Sequence, residues 1–383
     1  MIELSIVIPC LNEEETIGIC LKKVSTTLEN NNVNYEIIVA DNNSTDKSVE
    51  ISSQYKKVKV INVETRGYGA TLQAGIHHAS GTYVLMADAD DSYDFNDVMK
   101  FLEKLREGYE LVQGCRFPNG GGKIMQGAMP ISHKFFGNPF LSKVTRLLYK
   151  VPFKDVYCGM RAFKKSIYLK STYFSNGMVF AVENLIKLTV AGAKTCEVPI
   201  ILYKDKRVKS KSHLNTISDG LKTLKLLLIC NAKWLYFYPA FIITPFLLIK
   251  IYTTHNTKIN ENLLSEDILI NFFSIFALST IILQLITLGL FSSLMSNQLG
   301  ILKNNLSIKL LNFFDLKKTL FVLFIFLVLF AYLLFKIMMG HVTSIYYIFY
   351  IFIFSIFTIQ SIFNCLFISL LELNETNKKP FNK

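Results

Sequence analysis

The sequence has few of the residues that mark a zinc-binding, redox-active or secreted protein. Its seven cysteines lie far apart and form neither a CxxC pair nor a spacing typical of metal ligands. The first residues, MIELSIVIPCLNEEE, have no basic stretch before the apolar run and soon turn acidic, unlike a secretory signal. We therefore expect reduced thiols and a first domain that stays in the cytosol.

Charged residues are absent from long stretches of the second part of the chain. Residues 268–302 contain no Asp, Glu, Lys or Arg, and 51% of the 383 residues are hydrophobic. Apolar stretches of this length predict membrane spans, and no Asp or Glu lies inside them to line a proton or ion path. Anchoring is therefore favoured over transport. We predict four transmembrane helices, at about 234–253, 268–292, 318–339 and 344–370.

The net charge of +12 is concentrated beside these apolar stretches. Basic residues in such places favour an anionic membrane surface as the partner over nucleic acid. The lysines between the second and third spans and in the tail, 372–383, follow the positive-inside rule. This rule predicts both termini in the cytosol and a chain held in the inner or plasma membrane. Residues 219–233 predict an interfacial amphipathic helix, and the membrane domain then covers 234–371.

Residues 1–218 instead alternate short apolar runs with helical patterns. The runs LSIVIP, EIIVA, VKVINV and YVLMA predict strands, and the segments between them predict helices. Near-continuous apolar strands separated by helices are typical of a mostly parallel sheet. The predicted fold class of this cytosolic domain is therefore α/β, and ligands of such sheets bind beyond the carboxyl ends of the strands.

Polar clusters follow three of these strands. They begin at Asn12, at Asp41 and at Asp88, and the third is the acidic sequence DADD. Each cluster alone is more simply explained by helix caps or solvated loop residues. Together they outline a pocket whose oxygen atoms suit a nucleoside. Asp88 and Asp90, which follow a buried strand, can bind a hard cation such as Mg²⁺ or Mn²⁺, which in turn binds a diphosphate.

Two glycine-rich segments lack the residues of known phosphate loops. In GYGATL, Leu72 stands where the dinucleotide fingerprint needs its third glycine. In GGGKI, Ile124 stands where a P-loop needs Ser or Thr. Both interpretations are therefore excluded, and no Ser-His or Cys-His constellation stands out.

A series of motifs runs in order through residues 3–218. They are IVIPCLNEEETI, ADNNSTDKS, RGYGATLQAG, the acidic motif, VQGCRF, SHKFFGNPF, KDVYCGMRAF, GMVFAVENLI and EVPI with a basic segment after it. The series resembles family 2 glycosyltransferases of the GT-A type, in particular the branch of dolichyl-phosphate mannose synthases and bacterial polyprenyl-phosphate glycosyltransferases. This resemblance implies a Rossmann-like GT-A domain. Processive polysaccharide synthases share the fold but need a Gln-x-x-Arg-Trp motif, whereas Trp234, the only tryptophan, stands in AKWL.

The resemblance also implies roles for particular residues. Asp88 and Asp90 would hold the metal on the donor diphosphate, with Asp90 and three arginines acting in catalysis. Ser92 replaces the family's glutamine, so the third metal ligand stays open between Ser92, Asp91 and Asp94. The second motif reads Asp41-Asn42-Asn43 where the family usually has two acids and a glycine. The implied donor-binding residues are Pro9, Asn12, Glu14, Asp41 and Asp88, and the implied acceptor-phosphate residues are Arg116, Arg161, Arg207, Lys209 and His213.

The implied reaction transfers one sugar, with inversion, from a nucleotide sugar of the UDP-glucose or GDP-mannose type to a polyprenyl or dolichyl phosphate. A phosphate monoester is largely ionised at cytosolic pH, so this nucleophile needs no strong general base. The alternative is a non-catalytic nucleotide-binding membrane protein in glycolipid assembly or flipping. That alternative would need neither the metal acids nor the arginines. The donor, the lipid length and a homo-oligomeric state stay open.

Overall fold

The computed structural model describes residues 1–207, 216–256 and 266–302, with a few single positions between 324 and 360. The chain divides into two compact units. The first unit comprises Met1–Leu227 with Gln298–Leu302, and the second comprises Leu228–Asn297 with Lys303–Lys383.

The first unit alternates strands and helices. Its strands are β1 (Leu4–Cys10), β2 (Tyr35–Asp41), β3 (Val58–Asn62), β4 (Tyr83–Met86), β5 (Leu111–Cys115), β6 (Lys123–Ile124), β7 (Arg161–Lys164), β8 (Thr195–Pro199) and β9 (Ile201–Leu202). Its helices are α1 (Ile17–Asn30), α2 (Ser48–Ser53), α3 (Tyr68–His78), α4 (Val98–Arg106), α5 (Asn138–Tyr149), α6 (Lys165–Tyr168) and α7 (Phe180–Val190). Helix α8 (Thr216–Ile229) covers much of the segment that predicted an amphipathic helix.

Seven of these strands form one sheet, in the order β3-β2-β1-β4-β7-β5-β8. Within it β7 runs antiparallel to β4 and to β5, and the other described pairs are parallel. Strands β2 and β3 lie on one side of β1, and β4 with the later strands of this sheet lies on the other side. The carboxyl ends of β1 and β4 therefore flank the switch point at which ligands of open α/β sheets bind. The predicted α/β class with a mostly parallel central sheet is confirmed.

The predicted strands and helices form where the apolar patterns indicate them. Strand β1 is buried along nearly its whole length, as expected for a central parallel strand covered on both faces. Helix α1 begins only at Ile17, although β1 already ends at Cys10. The delay has a local cause, because Asn12 adopts a left-handed φ of 58° and Glu14 is tied to the loop after β2.

Strand β7 is not apparent in the sequence. Its four residues, Arg161–Lys164, begin and end with a charge and lack an apolar run. The strand exists because it pairs on both sides, with Leu85 of β4 opposite Ala162 and with Val112 of β5 opposite the same residue. Its insertion places Arg161 in the middle of the sheet.

The second unit contains α9 (Tyr238–Asn256) and α10 (Glu266–Gln298), and a π-helical turn, Lys233–Phe237, precedes α9. Two segments, Lys233–Thr254 and Ile270–Gln298, are long and apolar enough to cross a membrane, with mean hydropathies of 1.6 and 2.1. They coincide with the first two predicted spans. The third and fourth predicted spans, 318–339 and 344–370, lie outside the described residues except for single positions.

Candidate active site

Residues 88–92, which we call the acid loop, follow β4 at the switch point of the sheet. The Tyr68 hydroxyl at the start of α3 donates a 2.9 Å hydrogen bond to Asp88 Oδ1. Gly159 packs beside the other oxygen, since a Cβ at this glycine would lie 2.6 Å from Asp88 Oδ2. Burial and the charge of Asp90 raise the pKa of the Asp88 carboxyl. Asp88 is thus a carboxylate in a fixed orientation whose ionised form a cation would stabilise.

Asp90 is oriented by its own loop. Its Oδ1 accepts hydrogen bonds from the backbone N–H of Ser92 at 3.0 Å and from the Ser92 hydroxyl at 2.6 Å. Its Oδ2 lies 3.5 Å from Arg207 Nη2. Ser92, which replaces the family's glutamine, therefore acts on Asp90 directly.

The other two acids considered for a third metal ligand have polar partners. Asp91 is buried and pairs with Lys23 Nζ at 2.7 Å and with Lys206 Nζ at 2.6 Å. Asp94 Oδ1 accepts a 3.0 Å hydrogen bond from the backbone N–H of Asn96 and so caps the turn after the acid loop. Both carboxylates are therefore used by the protein itself.

The donor atoms of the acid loop fit a hard divalent cation bound together with a substrate. Within the described ranges, no group of three His, Cys, Asp or Glu side chains is placed to hold a metal ion. Mg²⁺ commonly binds through one or two carboxylates and completes its shell with substrate phosphates and water. Asp88 and Asp90 provide such a pair, one residue apart in the acid loop.

Polar residues after β1 and β2 tie the two loops together at the same edge of the sheet. Pro9 lies near the end of β1, opposite Ala40 of β2. Asn12 Oδ1 accepts a 2.8 Å hydrogen bond from the backbone N–H of Thr45. Glu14 Oε2 accepts a 3.1 Å bond from the backbone N–H of Lys47. The structure thus brings the predicted nucleoside residues together, and two of their side chains also brace the neighbouring loop.

The departures at the second motif have structural explanations. Asp41 is buried, and its Oδ2 accepts a 3.1 Å hydrogen bond from the backbone N–H of Ser44. Asn43 has a φ of 65°, in the left-handed region that glycine favours and asparagine tolerates, so it serves where the family has glycine. The Asn42 side chain accepts a 2.9 Å bond from the backbone N–H of Gly67 and fixes the start of α3.

Arg116 is held by a buried carboxylate. Its Nε and Nη2 lie 2.7 and 2.8 Å from the two oxygens of Asp155, which also accepts a 3.0 Å hydrogen bond from the Arg116 backbone N–H. The Arg116 side chain is 7% exposed and that of Asp155 is 0% exposed. The predicted contact of Arg116 with phosphate stays a prediction, and the partner in this structure is Asp155.

Arg161 is wholly buried and makes hydrogen bonds to the protein in several directions. Its Nη1 donates to Ala181 O at 2.6 Å and to Asn184 Oδ1 at 2.9 Å. Its Nε donates to the side-chain oxygen of Gln113, and Nη2 donates to Val156 O at 3.4 Å. Burial lowers the pKa of this guanidinium to about 10. Its predicted role at a phosphate also stays a prediction.

Arg207 is the predicted phosphate arginine that lies at the acid loop. Its Nη1 lies 2.9 Å from Glu13 Oε1, and its Nε lies 2.8 Å from Asp205 Oδ2. Burial raises the pKa of Glu13 to about 7, although the positive charge of Arg207 opposes this shift. Lys209 and His213, the other predicted acceptor residues, lie outside the described residues.

The comparisons with known proteins point to the family that the motifs resemble. The family model described as Glycosyl transferase family 2 matches residues 5–171. Glycosyltransferase AglJ of Haloferax volcanii is 30% identical over 215 residues, which cover 56% of this chain and 67% of AglJ. The chain belongs to glycosyl transferase family 2. The low-salt glycan biosynthesis hexosyltransferase Agl6 of the same organism is 33% identical over 242 residues, and this match spans 62% of the chain and 56% of Agl6.

Solved structures also resemble this family 2 chain. One is glucosyl-3-phosphoglycerate synthase from Mycobacterium tuberculosis in complex with Mn²⁺, uridine diphosphate and glucosyl-3-phosphoglycerate. The identity is 21% and the TM-score is 0.47, with 60% of this chain and 79% of that chain covered. A second structure of the same synthase contains Mg²⁺ and uridine diphosphate, with a TM-score of 0.46.

The family 2 motifs did not single out the residues that position Tyr68. The Glu183 carboxylate accepts hydrogen bonds from the backbone N–H groups of Phe174 at 3.1 Å and Ser175 at 2.9 Å. This loop packs so closely on α3 that a Cβ at Gly69 would lie 2.3 Å from Ser175 O. The two glycines of RGYG thus allow the contact that directs Tyr68 at Asp88. The signal in the sequence was a tyrosine between glycines at a helix start.

Proposed function

We propose that this family 2 chain is a membrane-bound inverting hexosyltransferase that moves one sugar from a nucleotide sugar to a polyprenyl phosphate. The observation that carries the proposal is the 3.5 Å approach of Arg207 Nη2 to Asp90 Oδ2. Asp90 belongs to the loop that would hold the donor diphosphate through a cation. Arg207 belongs to the basic segment that would meet the acceptor phosphate. Two substrates bound by these residues would be neighbours, as a transfer between them requires.

A lipid acceptor is supported by the composition of the second unit. Its two long apolar helices would keep the chain at a bilayer, where polyprenyl phosphates reside. The similarity to Agl6, a hexosyltransferase of glycan biosynthesis, supports a hexose as the transferred group. The charge balance of +12 suits a surface that also carries anionic lipid headgroups.

The proposed mechanism depends on binding and alignment. A bound divalent cation would neutralise the diphosphate of the leaving nucleotide. Asp88, oriented by Tyr68, and Asp90, oriented by Ser92, would hold that cation. Arg207 would align the acceptor phosphate, whose second pKa of about 6 leaves its oxygen ionised at cytosolic pH. A single displacement by this oxygen at the anomeric carbon inverts the configuration and releases the nucleoside diphosphate. The donor nucleoside would lie against Pro9, Asn12, Glu14 and Asp41.

The decisive experiment supplies membranes containing the full-length chain with labelled nucleotide sugars, UDP-glucose and GDP-mannose first. We expect label in an organic-solvent extract that mild acid releases, provided polyprenyl phosphate is added. Asp90→Asn should abolish this label because it removes one of the two cation ligands. Asp97→Asn is the matched control, since Asp97 pairs with Lys100 on a helix surface instead. Nucleotide binding without a lipid-linked product from any donor would refute the transferase and favour a non-catalytic nucleotide-binding protein.

A second variant tests the acceptor side. Arg207→Lys keeps the positive charge but loses the planar arrangement of donors that grips a phosphate through two hydrogen bonds. We therefore expect slower turnover with an increased KM for polyprenyl phosphate and an unchanged KM for the nucleotide sugar. An unchanged KM for the lipid would contradict the proposed role of Arg207.

A further inference from the structure

The segment of residues 203–207, which we call the basic strap, lies along the acid loop. The backbone N–H of Tyr203 donates a 2.9 Å hydrogen bond to Ser92 O, and the backbone N–H of Lys206 lies 3.3 Å from Asp90 O. Main-chain contacts therefore hold the strap against Asp90, which would bind a cation, and against Ser92, which orients Asp90.

The side chain of Arg207 points into the same site. Its guanidinium contacts three carboxylates: Glu13 at 2.9 Å, Asp205 at 2.8 Å and Asp90 at 3.5 Å. The Arg207 side chain is only 8% exposed, as is that of Glu13. The contact with Asp90 is the longest of the three, so it is the one that costs least to break.

We propose that Arg207 and the divalent cation compete for Asp90, so that binding of the cation with its donor releases the guanidinium toward the acceptor phosphate. The cation and the Arg207 guanidinium are both positive, so they repel each other when both lie at the Asp90 carboxylate. Either of them alone neutralises the negative charge of Asp90. The donor would then bind before the acceptor, because Arg207 is available to a second phosphate only after it has left Asp90. This inference rests on the proposed function for the identity of the acceptor, but the competition itself does not require sugar transfer.

A simpler interpretation is that Arg207 is a fixed brace between Glu13 and Asp205. A brace of this kind would leave the cation affinity unchanged when the charge of Arg207 is removed, apart from a general effect of net charge. The two interpretations therefore differ in a binding constant.

The test measures Mn²⁺ binding to the purified full-length chain by the electron paramagnetic resonance of free Mn²⁺, without nucleotide sugar. Arg207→Gln removes the competing charge and should tighten binding by about five-fold or more, the lower range of typical coupling between sites. Arg207→Lys keeps a charge and should bind Mn²⁺ nearly as the wild type does. Lys204→Gln is the control for net charge, because Lys204 is an exposed residue of the same strap and should have a much smaller effect. Equal affinities in wild type and Arg207→Gln, or weaker binding by the variant, would overturn the proposal.

A second measurement uses the wild-type chain and so does not depend on folding of a variant. Trypsin cleaves after Arg207 only when this side chain is accessible. Mn²⁺ should therefore speed cleavage there relative to a chelator, while cleavage after the exposed Arg106 stays constant. Slower cleavage after Arg207 with Mn²⁺, or the same rate with and without it, would overturn the proposal.

The results of the Mn²⁺ binding test and of the transferase assay can differ, and each combination has its own interpretation. A Mn²⁺ affinity that responds to Arg207, together with no lipid-linked product, would support the competition and refute the proposed acceptor. Sugar transfer together with equal Mn²⁺ affinities in wild type and Arg207→Gln would support the transferase and refute the competition.

Discussion

Replacement of Arg161 by lysine tests whether this wholly buried guanidinium is held for stability or for phosphate. The guanidinium donates to four oxygen atoms, on Gln113, Val156, Ala181 and Asn184. A lysine keeps the positive charge, but its three donors radiate from one nitrogen and cannot reach acceptors on opposite sides of a planar group. The substitution therefore removes hydrogen bonds from acceptors that water cannot reach.

The expected loss in the free energy of unfolding depends on how many of these oxygens are left without a hydrogen-bond donor. We expect two of the four acceptors to lose their partner, and each unsatisfied buried group costs about 1–3 kcal/mol. A loss of about 3 kcal/mol is a large part of the stability of an ordinary domain, which is about 5–15 kcal/mol. For a unit of this size, each kcal/mol lowers the melting temperature by about 2–4 °C, which gives about 6–12 °C.

The assay heats the full-length protein in detergent with a dye that becomes fluorescent on reaction with thiols. Four of the seven cysteines, Cys10, Cys20, Cys115 and Cys158, are buried in the first unit, so their reaction with the dye reports its unfolding. Arg106→Lys is the matched control, because Arg106 forms an exposed pair with Glu3 and such pairs contribute about 1 kcal/mol or less. A melting temperature for Arg161→Lys within about 1 °C of the wild type, combined with loss of transfer, would refute the structural role and favour a phosphate contact.

Three further predictions concern a glycine, a buried carboxyl and the topology. Gly159→Ala should reduce Mn²⁺ affinity and transfer, because its Cβ would lie 2.6 Å from Asp88 Oδ2, and Mn²⁺ titration checks this. Glu13 has its pKa raised from 4.5 to about 7 in the folded protein, so the free energy of unfolding should fall as the pH rises through this interval. Glu13→Gln should flatten that fall, as measured by the same thiol assay across the interval. Reporter fusions within 256–264 and after Lys383 should lie on opposite sides of the membrane, and the same side for both would contradict the predicted four spans.

Much of the first half of the fold can be predicted from short patterns in the sequence. The strands β1, β2 and β4 are nearly continuous apolar runs, and their carboxyl ends meet at one edge because parallel strands share a direction. Asp88 and Asp90 could therefore be placed next to the loops after β1 and β2. The position of β7 could not be predicted in this way, because its pairing with Val112 and Leu85 joins distant parts of the chain.

The hydrogen-bond partners of the arginines could not be predicted from the sequence either. An arginine is exposed in most proteins, so a motif that contains one suggests a ligand contact first. Arg116 instead meets Asp155, which lies 39 positions away along the chain. The four partners of Arg161 are all backbone or side-chain amide oxygens, which no charge pattern indicates. Tyr68 was missed for a similar reason, because its partner, Asp88, follows a different strand.

The surroundings of the three arginines decide which of them can serve a phosphate at low cost. If Arg116 turned to a substrate, it would leave the fully buried carboxylate of Asp155 unpaired, and breaking such a buried pair costs about 3–5 kcal/mol. A hydrogen bond to a charged group returns only about 1.5–3 kcal/mol, so this exchange is unfavourable. Arg161 faces the same penalty through its four acceptors. Arg207 differs, because its long contact with Asp90 is the one that a cation would replace, and the carboxylate would not be left without a positive neighbour. Binding of the acceptor phosphate should therefore depend first on Arg207, while Arg116 and Arg161 keep the walls of the site in place.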